Sequence, residues 1–384
     1  MIRTSICLLL SCAFLCCSKS KGGSGSGNAA PGPDSPPLAG TVAATDTLEV
    51  MAYNVLNYGD GCQGALDSLD GYFRTIVAYV QPDLLSCEKI DAFYPVPGSP
   101  GNLADHIRDS VLNSSFPGRY GYATPTNASS GGSMSVLFYN MQKLSFVSER
   151  TLVADVSDFN LYKFRYNDPN LGITHDTTFL YVVVNHTQSG SSSSTRDSQV
   201  GQEMSTLRTM FASFPNLINM GDFNTANSYE AGYQSVVTST DSNTLLYDPP
   251  YYPDKVQQYP GNWSVTPYLC ASYLTTTTRA SATYPNACGT GGGAKGWYDH
   301  LFISPWLVSG SNYMQYIPDS YRTIGNDGNR MGVDITSASP VVNTSAPAAV
   351  IQALFQFSDK YPVTVKVLLQ ANRNGYSPAD PGSF

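Results

Sequence analysis

Charged residues are scarce in this sequence. Of its 384 residues only 13% are charged, and acidic side chains outnumber basic ones, which gives a net charge of −8. A domain that holds duplex nucleic acid through many phosphates normally presents a basic face. The composition therefore does not favour nucleic acid as a partner, and small anionic ligands or metal-bridged contacts fit it better.

Long apolar runs are absent after residue 17, so the sequence predicts no transmembrane helix there. The run from Ile6 to Cys17 is shorter than the roughly 20 residues that span a bilayer, and it follows Arg3 as in a signal peptide. Its cysteines and the polar segment behind them resemble a bacterial lipoprotein signal. Cys17 and Cys12 are alternative lipid sites, and Cys17 is preferred because it leaves the longer apolar core. A plain cleaved signal with incidental cysteines is the other interpretation.

Residues 18–45 contain much Gly, Ser, Pro and Ala and almost no large apolar side chain. Such a segment buries too little surface to offset the entropy of ordering, so we expect a flexible tether. Residues 46–372 form one domain, and residues 373–384 form a C-terminal tail. The sequence thus predicts an exported monomer in the cell envelope. An N-terminal lipid alone would anchor it to the outer membrane, on the periplasmic or the surface face.

Four cysteines follow the signal segment, and an even number in an exported domain permits disulfides. We expect Cys270 to pair with Cys288, because this bond would close the Thr- and Ser-rich loop between them. Cys62 is then left for Cys87. Since Cys87 lies in an apolar strand, a buried free thiol is an equally good interpretation.

Apolar patterning predicts many strands and few helices. The predicted strands are Thr47–Val55, Asp83–Glu88, Ser133–Tyr139, Leu144–Ser148, Thr178–His186, Leu217–Asp222, Asp299–Ser304 and Val363–Leu369. Apolar residues at three- and four-residue spacing predict helices over residues 66–80, near 102–113, and from an N-cap at Thr195 to Phe211. This is an α/β pattern that does not fit a single parallel sheet. Residues 241–296 are weakly periodic, and we expect them to form a long loop at the rim of the site.

Six short motifs each place a polar side chain where an apolar strand meets a loop. In chain order they are Met51–Asn54, Pro82–Glu88, Val182–His186, Gly221–Asn224, Trp297–Ser304 and Ser358–Val363. In the fourth, Asp222 and Asn224 are two residues apart and point to the same side of an extended backbone. Such a pair can orient or deprotonate water and donate a hydrogen bond to an oxyanion.

Together these motifs resemble the endonuclease/exonuclease/phosphatase superfamily, over roughly residues 46–370. The resemblance implies a four-layered α/β sandwich, in which two mixed β-sheets pack face to face between helices. It also implies a phosphoester substrate and a Mg²⁺ (or Mn²⁺) cofactor, with Asn54, Glu88 and Asp359 as the metal ligands. An ion pair with Lys89 or with an Arg is the structural alternative for Glu88.

The same resemblance assigns catalytic roles. Asp222 would orient or deprotonate the attacking water, and Asn224 would contact the phosphate. His186 would donate to the phosphate or to the leaving oxygen, and a core histidine with satisfied hydrogen bonds is its structural alternative. Asp299 corresponds to the aspartate that, in the family, pairs with a histidine of the last motif.

That last motif departs from the family pattern. The family has Ser-Asp-His, one further residue and Pro, whereas Lys360 takes the place of the histidine here. The four histidines of the chain are His106, His175, His186 and His300. His300 follows Asp299 directly, so strand alternation points it to the opposite face. Beside two carboxylates Lys360 stays charged at neutral pH and cannot act as a base. We expect it to place its charge on the phosphate or to pair with Asp299.

Two functions follow from this departure. The first is a phosphoesterase of reduced activity, because loss of an acid–base group typically costs about 10²- to 10⁴-fold in rate. The alternative is a catalytically impaired protein that binds phosphorylated or glycan ligands at the cell envelope. A purely structural lipoprotein would explain the tether but not why the polar residues of the motifs occur together.

Overall fold

The computed structural model describes residues 46–92, 102–174, 177–251 and 261–369. The predicted signal peptide, the two candidate lipid sites, the tether, the C-terminal tail and His175 lie outside the described residues. Among the helices that are described, none has both the length and the apolar character needed to cross a membrane.

The strands of the described residues are β1 (Asp46–Tyr58), β2 (Leu84–Asp91), β3 (Tyr120–Tyr122), β4 (Ser133–Asn140), β5 (Leu144–Ala154), β6 (Asp158–Tyr166), β7 (Phe179–His186), β8 (Leu217–Asp222), β9 (Asp299–Ile303), β10 (Met314–Tyr316), β11 (Arg322–Thr323) and β12 (Val363–Leu369). Their α-helices are α1 (Leu66–Val80), α2 (Leu103–His106), α3 (Asn113–Ser115), α4 (Leu171–Thr174), α5 (Ser194–Met210), α6 (Ala231–Val237), α7 (Pro305–Ser309) and α8 (Ala348–Phe357). A π-helical segment, Ile107–Leu112, joins α2 to α3, and Ser242–Thr244 and Pro267–Cys270 are 3₁₀ turns.

The strands form two mixed sheets. A seven-stranded sheet has the order β10-β12-β1-β2-β4-β3, with β11 paired to β12, and a five-stranded sheet has the order β5-β6-β7-β8-β9. The pairs β1–β2 and β7–β8 are parallel, and the other pairs are antiparallel. Strands β1, β2 and β12 contact β7, β8 and β9, while α1 packs on β1 and α8, and α5 packs on β5 and α6. The predicted sandwich of two mixed sheets flanked by helices is confirmed.

The middle of β1 is buried on both faces, which explains its nearly continuous apolar sequence. The second sheet covers one face, and α1 and α8 cover the other. Phe73 of α1 and Phe357 of α8 stack with ring centroids 4.7 Å apart, and both contact Tyr53. Burial of one such side chain contributes about 1.5–3 kcal/mol, so this aromatic cluster holds the two helices on the strand that leads to Asn54.

Some helices differ from the sequence predictions. Helix α1 has the predicted bounds, but the predicted helix near residues 102–113 is interrupted by the π-helical segment. Helix α5 begins at Ser194, with Ser193 at the N-cap position and no side-chain cap. The expectation that Thr195 caps this helix is therefore wrong, because Thr195 lies within its first turn.

The expected disulfide pairing is also wrong. The structure pairs Cys62 with Cys288, whose Cα atoms are 5.6 Å apart, and leaves Cys87 and Cys270 as buried free thiols. Cys270 lies instead beside the Tyr251 hydroxyl, with Sγ at 3.4 Å. The loop that carries Cys288 crosses the segment between β1 and α1, a long-range contact that local spacing does not reveal.

Candidate active site

The polar residues of the motifs meet because the strands that carry them are neighbours in register. Asn54 of β1 pairs with Glu88 of the parallel strand β2. In the other sheet, His186 of β7 pairs with Asp222 of the parallel strand β8, and Asp222 pairs with Asp299 of the antiparallel strand β9. Each sheet thus contributes one cluster of polar side chains.

A hydrogen bond joins the two clusters across the sandwich. Asn54 Nδ2 donates to Asp222 Oδ2 at 2.8 Å, and both side chains are buried. Asn54 Oδ1 accepts from the backbone N–H of Leu56 at 2.9 Å, which fixes the orientation of the amide. Asp222 Oδ1 accepts from the backbone N–H of Asn224 at 2.9 Å. The Asp222 carboxylate is therefore held from both sheets.

The backbones of β7 and β8 approach each other closely at Gly221, and a tight turn follows at Asn224. Gly221 has a φ of 142°, and a Cβ at this position would lie 2.0 Å from the Asn185 carbonyl oxygen, so only glycine fits. Asn224 follows with a φ of 46°, which Asn adopts more readily than most residues. Its Nδ2 donates to the Thr187 carbonyl at 3.0 Å. The Asn224 amide thus ties the turn to the loop after β7.

These strand ends surround a cavity of about 550 Å³. Six of the eight residues predicted for the site line it: Asn54, His186, Asp222, Asn224, Asp359 and Lys360. The other two, Glu88 and Asp299, are almost completely buried and do not line the cavity. The loop predicted at the rim also contributes to the wall, through Thr276, Gly289, Thr290 and Lys295.

Glu88 is a buried carboxylic group with one oxygen free. Its Oε1 accepts from the Ser86 hydroxyl at 2.6 Å, and its Oε2 has no hydrogen-bond partner within the described residues. Burial raises the pKa of Glu88 to about 8; the Ser86 hydrogen bond opposes this rise and the Asp222 carboxylate adds to it. The ion pair considered as its structural alternative does not form within the described part of the chain. A buried oxygen without a donor is destabilising unless another group compensates it.

Asp299 is a second acid that is almost completely buried. Neither of its carboxylate oxygens makes a hydrogen bond of normal geometry to the residues described. Burial raises the pKa of Asp299 well above its ordinary value, and the neighbouring Asp222 carboxylate raises it further.

Lys360 contacts a different carboxylate from the one expected. Its Nζ lies 3.4 Å from Oδ1 of the adjacent Asp359, so the expected pairing with Asp299 is wrong. Backbone contacts fix this segment: Lys360 pairs with Thr276 in a β-bridge, and its N–H donates to the Ser358 hydroxyl at 3.1 Å. Burial alone would lower the pKa of Lys360, but the surrounding carboxylates raise it above its ordinary value. The ammonium is therefore charged at neutral pH.

Asp359 is held by the loop that follows Cys288. Its Oδ2 accepts from the backbone N–H and the hydroxyl of Thr290 at 2.8 and 2.9 Å. Burial would raise the pKa of Asp359, but Lys360 and the Thr290 hydrogen bonds hold it below its ordinary value. Gly289 has a φ of 90°, and a Cβ there would lie 2.8 Å from the Asp359 carboxyl carbon. The loop can reach Asp359 because this position has no side chain.

His186 is half-buried at the end of β7. Burial lowers its pKa to about 4; the Asp222 carboxylate opposes this, and the ammonium groups of Lys89 and Lys360 lower it further. The imidazole is therefore neutral at pH 7. It can donate a hydrogen bond to a ligand but carries no positive charge. His300 has another role: its Nε2 lies 3.0 Å from the Trp297 carbonyl and its ring stacks on Trp297, outside the cavity wall.

The lining residues that were not predicted individually from the sequence include Lys89, Thr290 and Tyr298. Lys89 was considered only as an ion-pair partner of Glu88, yet its side chain lies in the cavity wall. Burial and the Lys360 ammonium lower the pKa of Lys89. Thr290 belongs to the weakly periodic segment, where nothing local marks individual residues. Tyr298 lies within the motif Trp297–Ser304, directly before Asp299, so its membership of that motif was the available signal.

A buried polar network lies beside the cavity, between α5 and the strands that carry His186 and Asp222. Glu203 of α5 accepts from Asn185 Nδ2 at 3.2 Å and from Asn219 Nδ2. Burial raises the pKa of Glu203 to about 8, although the two amides oppose the rise. The network therefore ties α5 to both strands just before their functional ends.

No protein-family profile and no curated protein matches this chain in sequence. Solved structures match it in fold. The TDP2 protein of D. rerio, complexed with a single-strand DNA product, is 11% identical with a TM-score of 0.51, over 84% of this chain and 98% of that chain. Two Bacteroides thetaiotaomicron proteins are each 13% identical. One is an endonuclease/exonuclease/phosphatase family protein with a TM-score of 0.47, over 85% of this chain and 100% of that chain. The other is a mannosyl-6-phosphatase with a TM-score of 0.46, over 83% and 99%. These structures are similar to this chain in fold alone, and the likeness to the TDP2 structure, whose TM-score is above 0.5, agrees with the predicted α/β sandwich.

Proposed function

We propose that this protein is a metal-dependent phosphoesterase on an exported lipoprotein. The observation that carries the proposal is the Asn54–Asp222 hydrogen bond, which joins the polar ends of the two sheets at one cavity. Around this bond lie acids, amides, one neutral imidazole and the ammonium groups of Lys89 and Lys360. Hydrolysis of a phosphoester needs a positioned water, donors for the phosphate oxygens and compensation of negative charge, and these groups can supply all three.

The acidic residues fit a Mg²⁺ ion (or Mn²⁺). Glu88 has a buried carboxylate oxygen that no donor of the described residues reaches, and Asn54 is its neighbour in register on β1. The Ser358 hydroxyl donates to the Asn54 carbonyl at 2.7 Å, which holds the Asp359 segment next to them. Carboxylate and amide oxygens are the protein ligands that Mg²⁺ prefers. Glu88, Asn54 and Asp359 would hold the ion, which when bound supplies positive charge against the phosphate.

The remaining residues act on the water and the phosphate. Asp222, fixed from both sheets, accepts a hydrogen bond from the attacking water and takes its proton. His186 donates from its neutral imidazole to the phosphate or to the leaving oxygen. Asn224 lies on the same wall and positions the phosphate, and Lys360 offers a fixed positive charge. Asp299 has no imidazole to hold, and we expect the rate to be reduced for this reason.

One observation favours the alternative of a ligand-binding protein without turnover. Lys360, which by resemblance takes the place of a catalytic histidine, pairs with Asp359, and the Asp299 carboxylate has no hydrogen-bond partner among the described residues. Such a site retains cations for a phosphate but lacks one acid–base group. Phosphorylated or glycan-linked ligands at the cell envelope would then be bound and not cleaved.

We also propose that the protein is a monomer attached to the membrane by an N-terminal lipid only. The support is in the sequence: an apolar segment that ends in Cys16 and Cys17, followed by the Gly-, Ser- and Pro-rich residues 18–45. A lipidated Cys17, or Cys12, would anchor the domain in the cell envelope through this tether. Phosphoesters are then the expected substrates there, and the net charge of −8 makes nucleic acid the less favoured class.

The test is hydrolysis of p-nitrophenyl phosphate and bis-p-nitrophenyl phosphate with Mg²⁺. We expect measurable turnover by the wild type and a loss of about 10²- to 10⁴-fold in kcat for Asp222→Asn, because the group that activates water is removed. The matched control is Asp83→Asn, a buried aspartate outside the cavity wall that pairs with Arg119 and Lys143. Absence of turnover in the wild type, with phosphate still bound, would favour the ligand-binding alternative.

A further inference from the structure

Lys89 has an unusual backbone conformation at the cavity. It follows Glu88 at a break in the β2 ladder, where the register with both β1 and β4 shifts. Its φ is 66°, in the left-handed region that non-glycine residues rarely adopt. On β1, Leu56 and Asn57 lie at the same break with φ of 49° and 55°. Irregularities of this kind re-aim side chains next to functional sites.

The consequence is that two successive residues serve one site. In a regular strand Glu88 and Lys89 would point to opposite faces of the sheet. Here Glu88 is buried at the candidate metal site, and Lys89 lies in the wall of the adjacent cavity. The break in the ladder therefore adds a positive charge to the cavity that the strand pattern does not predict.

The Lys89 ammonium has no hydrogen-bond or ion-pair partner within the part of the chain that the structure describes. The two carboxylates on the same wall are already bound: Asp222 by Asn54 and Asn224, and Asp359 by Lys360 and Thr290. A half-buried cation without a partner is costly unless a ligand provides an anion. Lys89 thus differs from Lys360, whose charge is balanced by a neighbour.

A third lysine on the wall provides a contrast. Lys295 is exposed, and its Nζ donates to the Gly291 carbonyl at 2.5 Å. Exposed charges are screened by water and salt, so they discriminate little between ligands. The half-buried Lys89 and the buried Lys360 are the cations that a phosphate in the cavity would meet without this screening.

We propose that the cavity takes a phosphomonoester, with Lys89 and Lys360 binding the two negative charges of its terminal phosphate. This inference rests on the proposed phosphoesterase function and specifies its substrate class. A phosphomonoester has a second pKa of about 6 and is largely a dianion at pH 7, whereas a phosphodiester carries one charge. The second negative charge of a phosphomonoester would balance the charge of Lys89. A phosphodiester lacks this second charge, so Lys89 would remain unbalanced.

The reaction balances without any further reactant. The oxygen of water forms a bond to phosphorus, and the bond between phosphorus and the ester oxygen breaks. One proton of the water passes to the leaving alcohol, and the products are the alcohol and inorganic phosphate. Inorganic phosphate has the same charge as the substrate, so it should bind to Lys89 and Lys360 as well and inhibit the enzyme.

The test compares p-nitrophenyl phosphate with methyl p-nitrophenyl phosphate, which have the same leaving group but differ by one charge. Lys89→Met keeps the length of the side chain and removes the charge, Lys89→Arg keeps the charge, and Lys295→Met is the matched control at the rim. Wild type should prefer the monoester in kcat/KM. We expect Lys89→Met to lower that preference roughly 10- to 100-fold, the range for a charged hydrogen bond. Lys89→Arg and Lys295→Met should keep most of it.

Binding of inorganic phosphate in EDTA, measured by calorimetry, provides a readout that does not depend on turnover. Wild type should bind phosphate roughly tenfold or more tightly than Lys89→Met. If wild type hydrolyses neither ester, the proposed function fails, and phosphate binding still tests the role of Lys89. If both esters are hydrolysed but the diester is preferred, or Lys89→Met lowers both rates equally, the phosphomonoester assignment is overturned.

Discussion

Replacing Glu203 with Gln should change how the stability of the protein depends on pH. Glu203 is completely buried, and burial raises its pKa to about 8. In the unfolded chain its pKa is about 4.3, so between these two values the folded protein retains a proton that the unfolded chain has lost. The stabilising contribution of this proton is fully present below about pH 4 and is lost as the pH rises towards the folded-state pKa.

The magnitude follows from the size of the shift. Each pKa unit corresponds to about 1.4 kcal/mol, so the contribution falls by about 1.4 kcal/mol per pH unit. Over the whole interval this amounts to roughly 5 kcal/mol. Gln has nearly the same shape and does not ionise. Asn185 faces Glu203 with its Nδ2, and reversing the Asn185 amide would let its Oδ1, which has no partner within the described residues, accept from the Gln amide. The variant should therefore remain folded, and its free energy of unfolding should lack the pH-dependent contribution of Glu203.

Urea unfolding of both proteins at pH 5, 6, 7 and 8 measures the effect. The free energy of unfolding of Glu203→Gln, relative to wild type, should rise by about 1.4 kcal/mol per pH unit from pH 5 to pH 7, and by less from pH 7 to pH 8, where Glu203 begins to ionise in the folded wild type. Asp67→Asn, an exposed acid on α1, is the control and should run parallel to wild type. If the Glu203→Gln curve is also parallel to wild type, Glu203 is ionised in the folded protein and the reasoning is refuted.

Three further predictions concern other parts of the chain. Lys360→His should raise kcat and add a pH dependence near 6.5, because an imidazole could pair with the Asp299 carboxylate, which has no hydrogen-bond partner among the described residues, and exchange protons. An unchanged pH–rate profile would contradict this. The double variant Cys62→Ser, Cys288→Ser should lose about 2–5 kcal/mol in the free energy of unfolding, measured with urea. An unreduced digest of the exported wild type should contain the linked peptides, and finding both thiols free would contradict the pairing. Cys12→Ala, Cys17→Ala should lose lipid labelling and detergent partitioning, and labelling equal to wild type would rule out the lipoprotein.

The strands that carry the motifs were predictable because their sequences are unambiguous. Residues 217–222 and 363–369 are short apolar runs bounded by polar turns, and both form strands with the predicted bounds. Strand β6 was not predicted, because its residues are almost all buried although polar and apolar side chains are mixed. Helix α8 was not predicted either. It is apolar on most sides and packs on α1 and, through Phe357, on Tyr53 of β1, so it lacks a polar face.

The site was predictable where a residue stands at a strand end, and not where long-range contacts decide. Asn54, His186 and Asp222 follow apolar runs and line the cavity. Lys89 was not predicted as a site residue, because the break in the β2 ladder depends on the neighbouring strands and not on the local sequence. The Cys62–Cys288 pair joins residues separated by 226 positions, and local spacing contains no information about such a contact.

The most direct test of the central claim is the dependence of turnover on Mg²⁺. Protein stripped with EDTA should show no hydrolysis of p-nitrophenyl phosphate above background, and added Mg²⁺ should restore a saturable rate. Glu88→Gln, which removes the carboxylate proposed as a direct ligand, should need at least roughly 10- to 100-fold more Mg²⁺, the range for losing only an outer partner of a ligand, or stay inactive. Glu49→Gln, a half-buried glutamate on β1 that pairs with Lys366 outside the cavity wall, should behave as wild type. Equal rates with and without Mg²⁺, or a Glu88→Gln titration that matches wild type, would contradict a metal-dependent phosphoesterase at this site.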